Sequence, residues 1–354
     1  MRLRSQKFVR VLLVAILLLG SSPAPAFETD QYNLPDVALA DIGTEVADYT
    51  KENLTAAAIK LNTEINRLVQ CLDGKDLNRI KCDSRDKVAS RLAYLRSDEA
   101  IAREVYRRVG SGFISTTKAG TWIDSHKFLG RPARFKTSYS DSIFVLVPTN
   151  YLTISPTVKM YGTHLGTDKI AHFFQQGYTY YRIYKRALKR GVTNDDAVKR
   201  AVRWGRTSEY TYYGTLVSGV FSNADLYANY VGMKFYEGLT RTTMVAKVRR
   251  APTLVIEDGR WVINRNVDQN EELLKPFITN HMNEAMNPSI FAVGLRSSAR
   301  KIVKNRSCSD WRKAFPDLSK LDLENAAAKL RTWNDEDYGF KSSDNFVTIA
   351  NTCF

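Results

Sequence analysis

The 354-residue sequence predicts a mainly α-helical fold, a helical bundle carrying a small β-hairpin near residues 253–264. Three observations lead there. Apolar residues recur at helical steps over most of the chain, capping residues and glycine stops bracket those stretches, and a single segment carries a clear hairpin signal.

The first 26 residues, "MRLRSQKFVRVLLVAILLLGSSPAPA", join four basic residues, an apolar run from Val11 to Leu19 and the small-x-small sequence Ala24-Pro25-Ala26. That is the pattern of a cleaved secretory signal peptide, so the expectation is export to a bacterial periplasm or the extracellular space. No cysteine follows the apolar run, which argues against a lipid anchor. No later stretch has the ~18 uninterrupted apolar residues of a membrane span, so none is expected in the mature chain.

The formal charge is +15, from 52 Lys and Arg against 37 Asp and Glu. Removing the four basic residues of the leader leaves 15 − 4 = +11. An exported basic surface faces an anionic envelope component: peptidoglycan, lipopolysaccharide or lipid head groups. Nucleic acid is not an expected partner, because the leader argues against it and no recognised binding motif supports it. Cys71, Cys82, Cys308 and Cys353 are an even set in an oxidising compartment, and none has zinc-site spacing. Of three possible pairings, locality favours Cys71 with Cys82 and Cys308 with Cys353.

Beyond the leader, residues 27–150 read as an N-terminal helical region. Helical periodicity runs from Leu34 to Leu72, and again through "RDKVASRLAYLRSDEAIAREVYRRVG", with Ser97 or Asp98 as N-cap and Gly110 as stop. Residues 110–165 are rich in Gly, Ser, Thr and Pro, and their one apolar run, "SIFVLVP", suits a buried strand or a short helix. A helical core over residues 151–240 follows, with helices at Thr167 to Arg190, Asn194 to about Tyr213, and Ser222 to Leu239. Residues 241–354 hold the hairpin, "PTLVIEDGRWVIN" turning at Asp258-Gly259, and then further helical segments.

The candidate chemistry lies in the core. In "GTDKIAHFFQQGY", with Thr167 as cap, Asp168 and His172 stand four apart on one helical face that Gln176 and Tyr180 extend. A carboxylate there can fix the tautomer of the imidazole or share a metal with it, although an acid in a first helical turn is also favoured by the helix dipole alone. Glu209, in "TSEYTYYG", precedes a glycine-rich apolar run where an unpaired carboxylate is costly. In "SNADLYANYVG", Ser222 and Asp225 have capping-box spacing, and Asn229 and Gly232 follow at one-turn steps, suiting a close helix crossing beside a polar pocket.

"DKIAHF", then Glu209, then "SNADLYANYVGMKFY" resembles the small envelope proteins of the YfiM-like family, with a fainter similarity to VanZ-like proteins. The resemblance covers about residues 161–240. It implies a helical bundle in which Asp168, His172, Glu209 and Asp225 converge, and it carries no assigned reaction. Where that pattern has a second acidic residue shortly after Glu209, this chain has Tyr212 and Tyr213.

From these residues an exported envelope hydrolase is one expectation, acting on an anionic cell-wall glycan or lipid by acid–base or metal-assisted chemistry. His172 is its base or metal ligand, Asp168 orients His172, and Glu209 or Asp225 supplies the second acid. His172, Glu209 and Asp225 are the candidate ligands of a divalent metal ion. Lys169 guides the anionic substrate, while Gln176, Tyr180, Tyr213, Ser222 and Asn229 support the site. Eleven of the 18 tyrosines fall between residues 161 and 236, suiting either a sugar-binding cleft or an aromatic core. The alternative is a non-catalytic envelope-binding or structural protein whose polar cluster only fixes helix packing. His164 could join the site, and His281 with Glu284 reads as a solvated face.

Overall fold

The computed structural model describes residues 28–73, 82–112, 117–147, 151, 154–211, 214–216 and 218–354. The leader expected over residues 1–26, and Tyr213, lie outside the described residues.

The chain is mainly α-helical, with its strands confined to small antiparallel sets. The first long helix, Gly43–Leu72, begins later than its apolar pattern. It buries Val46, Leu54, Leu61, Ile65 and Leu68 on one stripe, at the three- and four-residue steps that bring side chains to one face. Ser97 caps Asp98–Val105 by accepting from the Ala100 N–H, and a π-turn, Tyr106–Gly110, continues that helix to Gly110.

The central rod runs as Thr167–Ala171, a π-turn at His172–Gln176, and Gly177–Lys189. Gly166, not Thr167, occupies its N-cap position. Gly191 ends it in the left-handed conformation at φ 75°. Asn194–Tyr210, capped by Thr193, and Asn223–Gly238, capped by Ser222, pack against the rod. The rod crosses the last of these where a Cβ on Gly232 would lie 2.1 Å from the Phe173 carbonyl oxygen and 2.9 Å from Gly177 Cα. Only a residue without Cβ permits that approach.

The expected hairpin pairs Leu254–Glu257 with Arg260–Ile263, and Asp258 and Gly259 both have positive φ, as a type I′ turn requires. Two further hairpins were not expected, Thr157–Met160 with Thr163–Gly166 and Thr243–Val245 with Val248–Arg250. A short three-stranded sheet places Ser289–Phe291 between Val220–Phe221 and Phe346–Val347. The described part of "SIFVLVP", residues 142–147, is neither strand nor helix: Ile143 and Phe144 are buried from a turn, anchored where the Ile143 N–H donates to Asp30 Oδ2.

The larger of two buried clusters extends from the first helix through the rod to Trp333 and Tyr338. A smaller one gathers Tyr32, Phe144, Trp311 and Val347 around the Cys308–Cys353 disulfide. Cys71 pairs with Cys82, so both pairings are those that locality favoured. Among the described residues no helix is long and apolar enough to cross a membrane.

Candidate functional site

Four segments distant in sequence meet around the Lys169 ammonium. The start of the rod brings Asp168, Lys169 and His172, and the first turn of Asn223–Gly238 brings Asp225. Glu284 comes from the loop after Asn280–Met282, and Glu28 from the segment entering the fold at residues 28–31. Lys169 Nζ lies 2.5 Å from Asp168 Oδ2, Asp225 Oδ1 and Glu284 Oε1. Its side chain has no exposed surface, so Lys169 does not guide a substrate. It serves instead as the internal cation of a carboxylate cage.

Asp168 does not orient His172, as its spacing suggested. Its Oδ1 accepts from Thr29 Oγ1 at 2.5 Å, and its Oδ2 is taken by Lys169. The imidazole is held by Asn229: Nδ1 donates to Asn229 Oδ1 at 3.0 Å, which turns Nε2 toward Asp225 Oδ2, 3.4 Å away. The one-turn step from Asp225 to Asn229 thus places one partner at each ring nitrogen.

Ser222 ties the helix cap to the cage. Its hydroxyl accepts from the Asp225 N–H at 3.0 Å and donates to Glu284 Oε1 at 2.6 Å. Its own N–H donates to Glu209 Oε1 at 3.0 Å. Ser289 Oγ donates to Glu284 Oε2 at 2.7 Å, and the Glu284 N–H donates to Gln31 Oε1 at 2.8 Å. Gln176 and Tyr180 are buried nearby in sequence, with the Tyr180 hydroxyl in the space left by the missing Cβ of Gly205.

Glu28, Asp168, Glu209, Asp225 and Glu284 therefore gather around one ammonium and one imidazole. Burial pushes the carboxyls of Glu28 and Glu209 well above the usual glutamate range, and the neighbouring Asp225 adds to this. Burial raises Glu284 too, against the opposing pull of Lys169. For Lys169, burial alone would depress the ammonium, but Asp168, Asp225 and Glu284 outweigh it and hold the group well above its ordinary value.

The hydrogen bonding is incomplete. Both carboxylate oxygens of Glu28, and Asp225 Oδ2, are buried without a hydrogen-bond partner. Ligand atoms of Glu28, Asp225 and Glu284 lie within 4.8 Å of one another, a set of oxygens of the kind that binds a hard divalent cation. Of the expected ligands, only Asp225 belongs to this set.

Glu28 and Glu284 escaped the sequence reading. Glu28 lies just beyond the first 26 residues, where no periodicity marks it. Glu284 carries no such mark either: His281, Met282, Ala285 and Asn287 around it are all buried, where a solvated face was expected for that segment. His281 does not pair with Glu284: its Nδ1 faces Thr279 Oγ1 at 2.9 Å, and its Nε2 donates to the Thr332 carbonyl at 3.0 Å. His164 faces Lys159 and Asp41 rather than the cage, and burial lowers its pKa. Among the described residues, Tyr180, Tyr227, Tyr230 and Tyr236 belong to the aromatic core.

No family model matches the chain, and neither a curated protein nor a solved structure does.

Proposed function

We propose that this is an exported envelope-binding protein in which the Lys169-centred cage fixes helix packing and does not turn over a substrate. Closure carries this reading: Asp168, His172, Ser222, Asp225, Asn229 and Glu284 are each at most 5% exposed. A general acid or base must come within hydrogen-bond reach of the group it serves, and these side chains offer a bulky glycan or lipid almost no surface among the described residues. Export and the kinship with YfiM-like envelope proteins are part of the same proposal. Export is supported by the leader-like first 26 residues and the two disulfides, envelope binding by the basic charge, and the kinship by the order of "DKIAHF", Glu209 and "SNADLYANYVG".

A second reading, the envelope hydrolase, is favoured by a different observation. Raised carboxyls and unpartnered carboxylate oxygens are the surroundings in which general acids and metal ligands occur. His172 is then the base, Glu209 the acid, and Glu28, Asp225 and Glu284 the ligands of a divalent ion.

One experiment separates the two. The purified mature protein, with His172→Ala and Asp225→Asn variants, is incubated with isolated cell wall and envelope lipids in Mg²⁺, Ca²⁺ or EDTA, and both co-sedimentation and released products are measured. The expected outcome is co-sedimentation without product release in every condition, with the variants less heat-stable but still bound. Product release that His172→Ala abolishes would establish the hydrolase instead, and wild type that neither binds nor cleaves would remove both readings.

A further inference from the structure

A second concave site, remote in character from the cage, lies where Asp98–Val105 and the following π-turn face the Gly177–Lys189 helix. It is a groove of about 540 Å³, and six of its lining residues are Arg or Lys while Glu99 is the one acidic residue among them. Lys185 pairs with Asp98 at 2.6 Å and Lys189 with Glu99 at 2.5 Å, but Asp98 is shared with Arg241, and Glu104, 3.5 Å from Arg107, also pairs with Lys60 and Arg108. Among the described residues, Arg103, Arg182 and Arg186 form no ion pair, and all three are exposed. Three uncompensated guanidiniums around one groove repel one another, so the free groove is poised for an anion.

The groove also has an aromatic wall. Tyr106 and Tyr178 stack with ring centroids 4.3 Å apart and an interplanar angle of 13°, and the buried Tyr181 backs Tyr178 at 6.3 Å. The Arg182 guanidinium stands 6.0 Å from the Tyr178 ring centroid. Tyrosine faces accept the apolar face of a sugar ring, and arginine forks match phosphate oxygens in pairs. A plain patch of surface charge has no such wall, and an aromatic core has no such charge.

We propose that this groove binds a phosphorylated sugar, with Arg103, Arg182 and Arg186 on the phosphate groups and the partly exposed Tyr106 of the Tyr106–Tyr178 stack against the ring. The proposal rests on the envelope-binding reading and supplies its binding site. A phosphorylated saccharide can arrive as a lipid head group or as a soluble glycan, and the chemistry recognised is the same.

The test titrates the mature protein by calorimetry, at low salt, with glucose 1,6-bisphosphate, glucose and pyrophosphate, and by flotation with phosphatidylcholine vesicles containing lipid A. The Arg182→Ala/Arg186→Ala double variant is compared with Lys304→Ala/Lys313→Ala, which removes the same charge from exposed positions outside the groove. The expected result is binding of glucose 1,6-bisphosphate, lipid A vesicles or both, weakened at least about tenfold in the arginine variant and unchanged in the lysine variant. Flotation without calorimetric binding assigns the lipid head group as source, and the converse assigns the soluble glycan. Equal loss in both variants, pyrophosphate binding as tightly as the sugar bisphosphate, or no binding to either probe overturns the proposal. If the arginine variant still co-sediments fully with isolated envelope, the groove is wrong while envelope binding stands.

Discussion

At the scale of the residue, the cage is an unbalanced set of charges, and the imbalance has a measurable sign. Glu28, Glu209 and Glu284 hold protons more tightly in the folded chain than when unfolded, because burial penalises their ionised forms. Groups of this kind stabilise the fold where they remain protonated, and that contribution is lost as pH rises through their folded values. The window therefore opens above the ordinary glutamate value of about 4.3 and extends upward, the reverse of a salt-bridged carboxylate. Lys169 acts in the same direction but far higher, since its raised value places its loss beyond the ordinary lysine range. Thermal unfolding followed by circular dichroism is expected to give a midpoint that falls between about pH 5 and pH 8. Glu28→Gln removes the carboxylate whose two oxygens lack partners, and should raise the midpoint at pH 8 and flatten its pH dependence. A variant as pH-dependent as wild type would show that Glu28 is not the strained member.

At the scale of the element, the cage depends on how closely two helices approach. Gly232 and Gly177 meet at the crossing of Asn223–Gly238 with the rod, which brings Asn229 to His172 and Asp225 to Lys169. Gly232→Ala places a methyl group 2.1 Å from the Phe173 carbonyl oxygen, and backbone cannot swing aside as a flexible side chain can. The expected cost is about 1–3 kcal/mol, as for overpacking elsewhere. Gly294→Ala, also in a helix but with nothing within 4 Å, should instead be neutral or stabilising by up to about 1 kcal/mol. Urea unfolding of the two variants reads the difference directly, and equal effects would mean that the crossing is not tight. The same elements show what was legible beforehand. Ser97 and Ser222 announced their helices, because a capping side chain leaves a local signature at a fixed offset. The hairpin at residues 254–263 was legible from Asp258-Gly259. Those at 157–166 and 243–250 were not: the first turns at Tyr161-Gly162, where only the second residue is a turn former, and the second at Ala246-Lys247, which adopt positive φ without a turn signature in their side chains. The acids of the rod and of Asn223–Gly238 could be paired by motif order. Glu28 and Glu284 reach the cage only by tertiary contact, which no period encodes.

At the scale of the whole molecule, the entering segment links the two buried clusters, and the disulfides decide how firmly. Glu28 and Thr29 contribute to the cage, while three residues on Tyr32 lies in the smaller cluster. There its hydroxyl donates to the Val347 carbonyl at 2.6 Å, and its carbonyl accepts from Trp311 Nε1 at 2.8 Å. Val347 and Trp311 are held together by the Cys308–Cys353 bridge, which closes a sequence separation of 45 residues against 11 for Cys71–Cys82. Loop-closure entropy alone makes the longer loop worth about 4 kcal/mol and the shorter about 2.8 kcal/mol. Burial widens the gap, because Cys308 and Cys353 are core residues whose replacement by serine leaves a hydroxyl among apolar groups, whereas Cys71 and Cys82 are half-buried. Cys308→Ser/Cys353→Ser is thus expected to lower the unfolding free energy by at least about 1 kcal/mol more than Cys71→Ser/Cys82→Ser in matched urea titrations. Its effect should also reach the cage, with hydrogen exchange at residues 28–33 accelerating in the Cys308→Ser/Cys353→Ser variant and staying at the wild-type rate in the other. Equal acceleration in both would mean that the entering segment is held by the cage alone, and that the second cluster packs beside the first without bracing it.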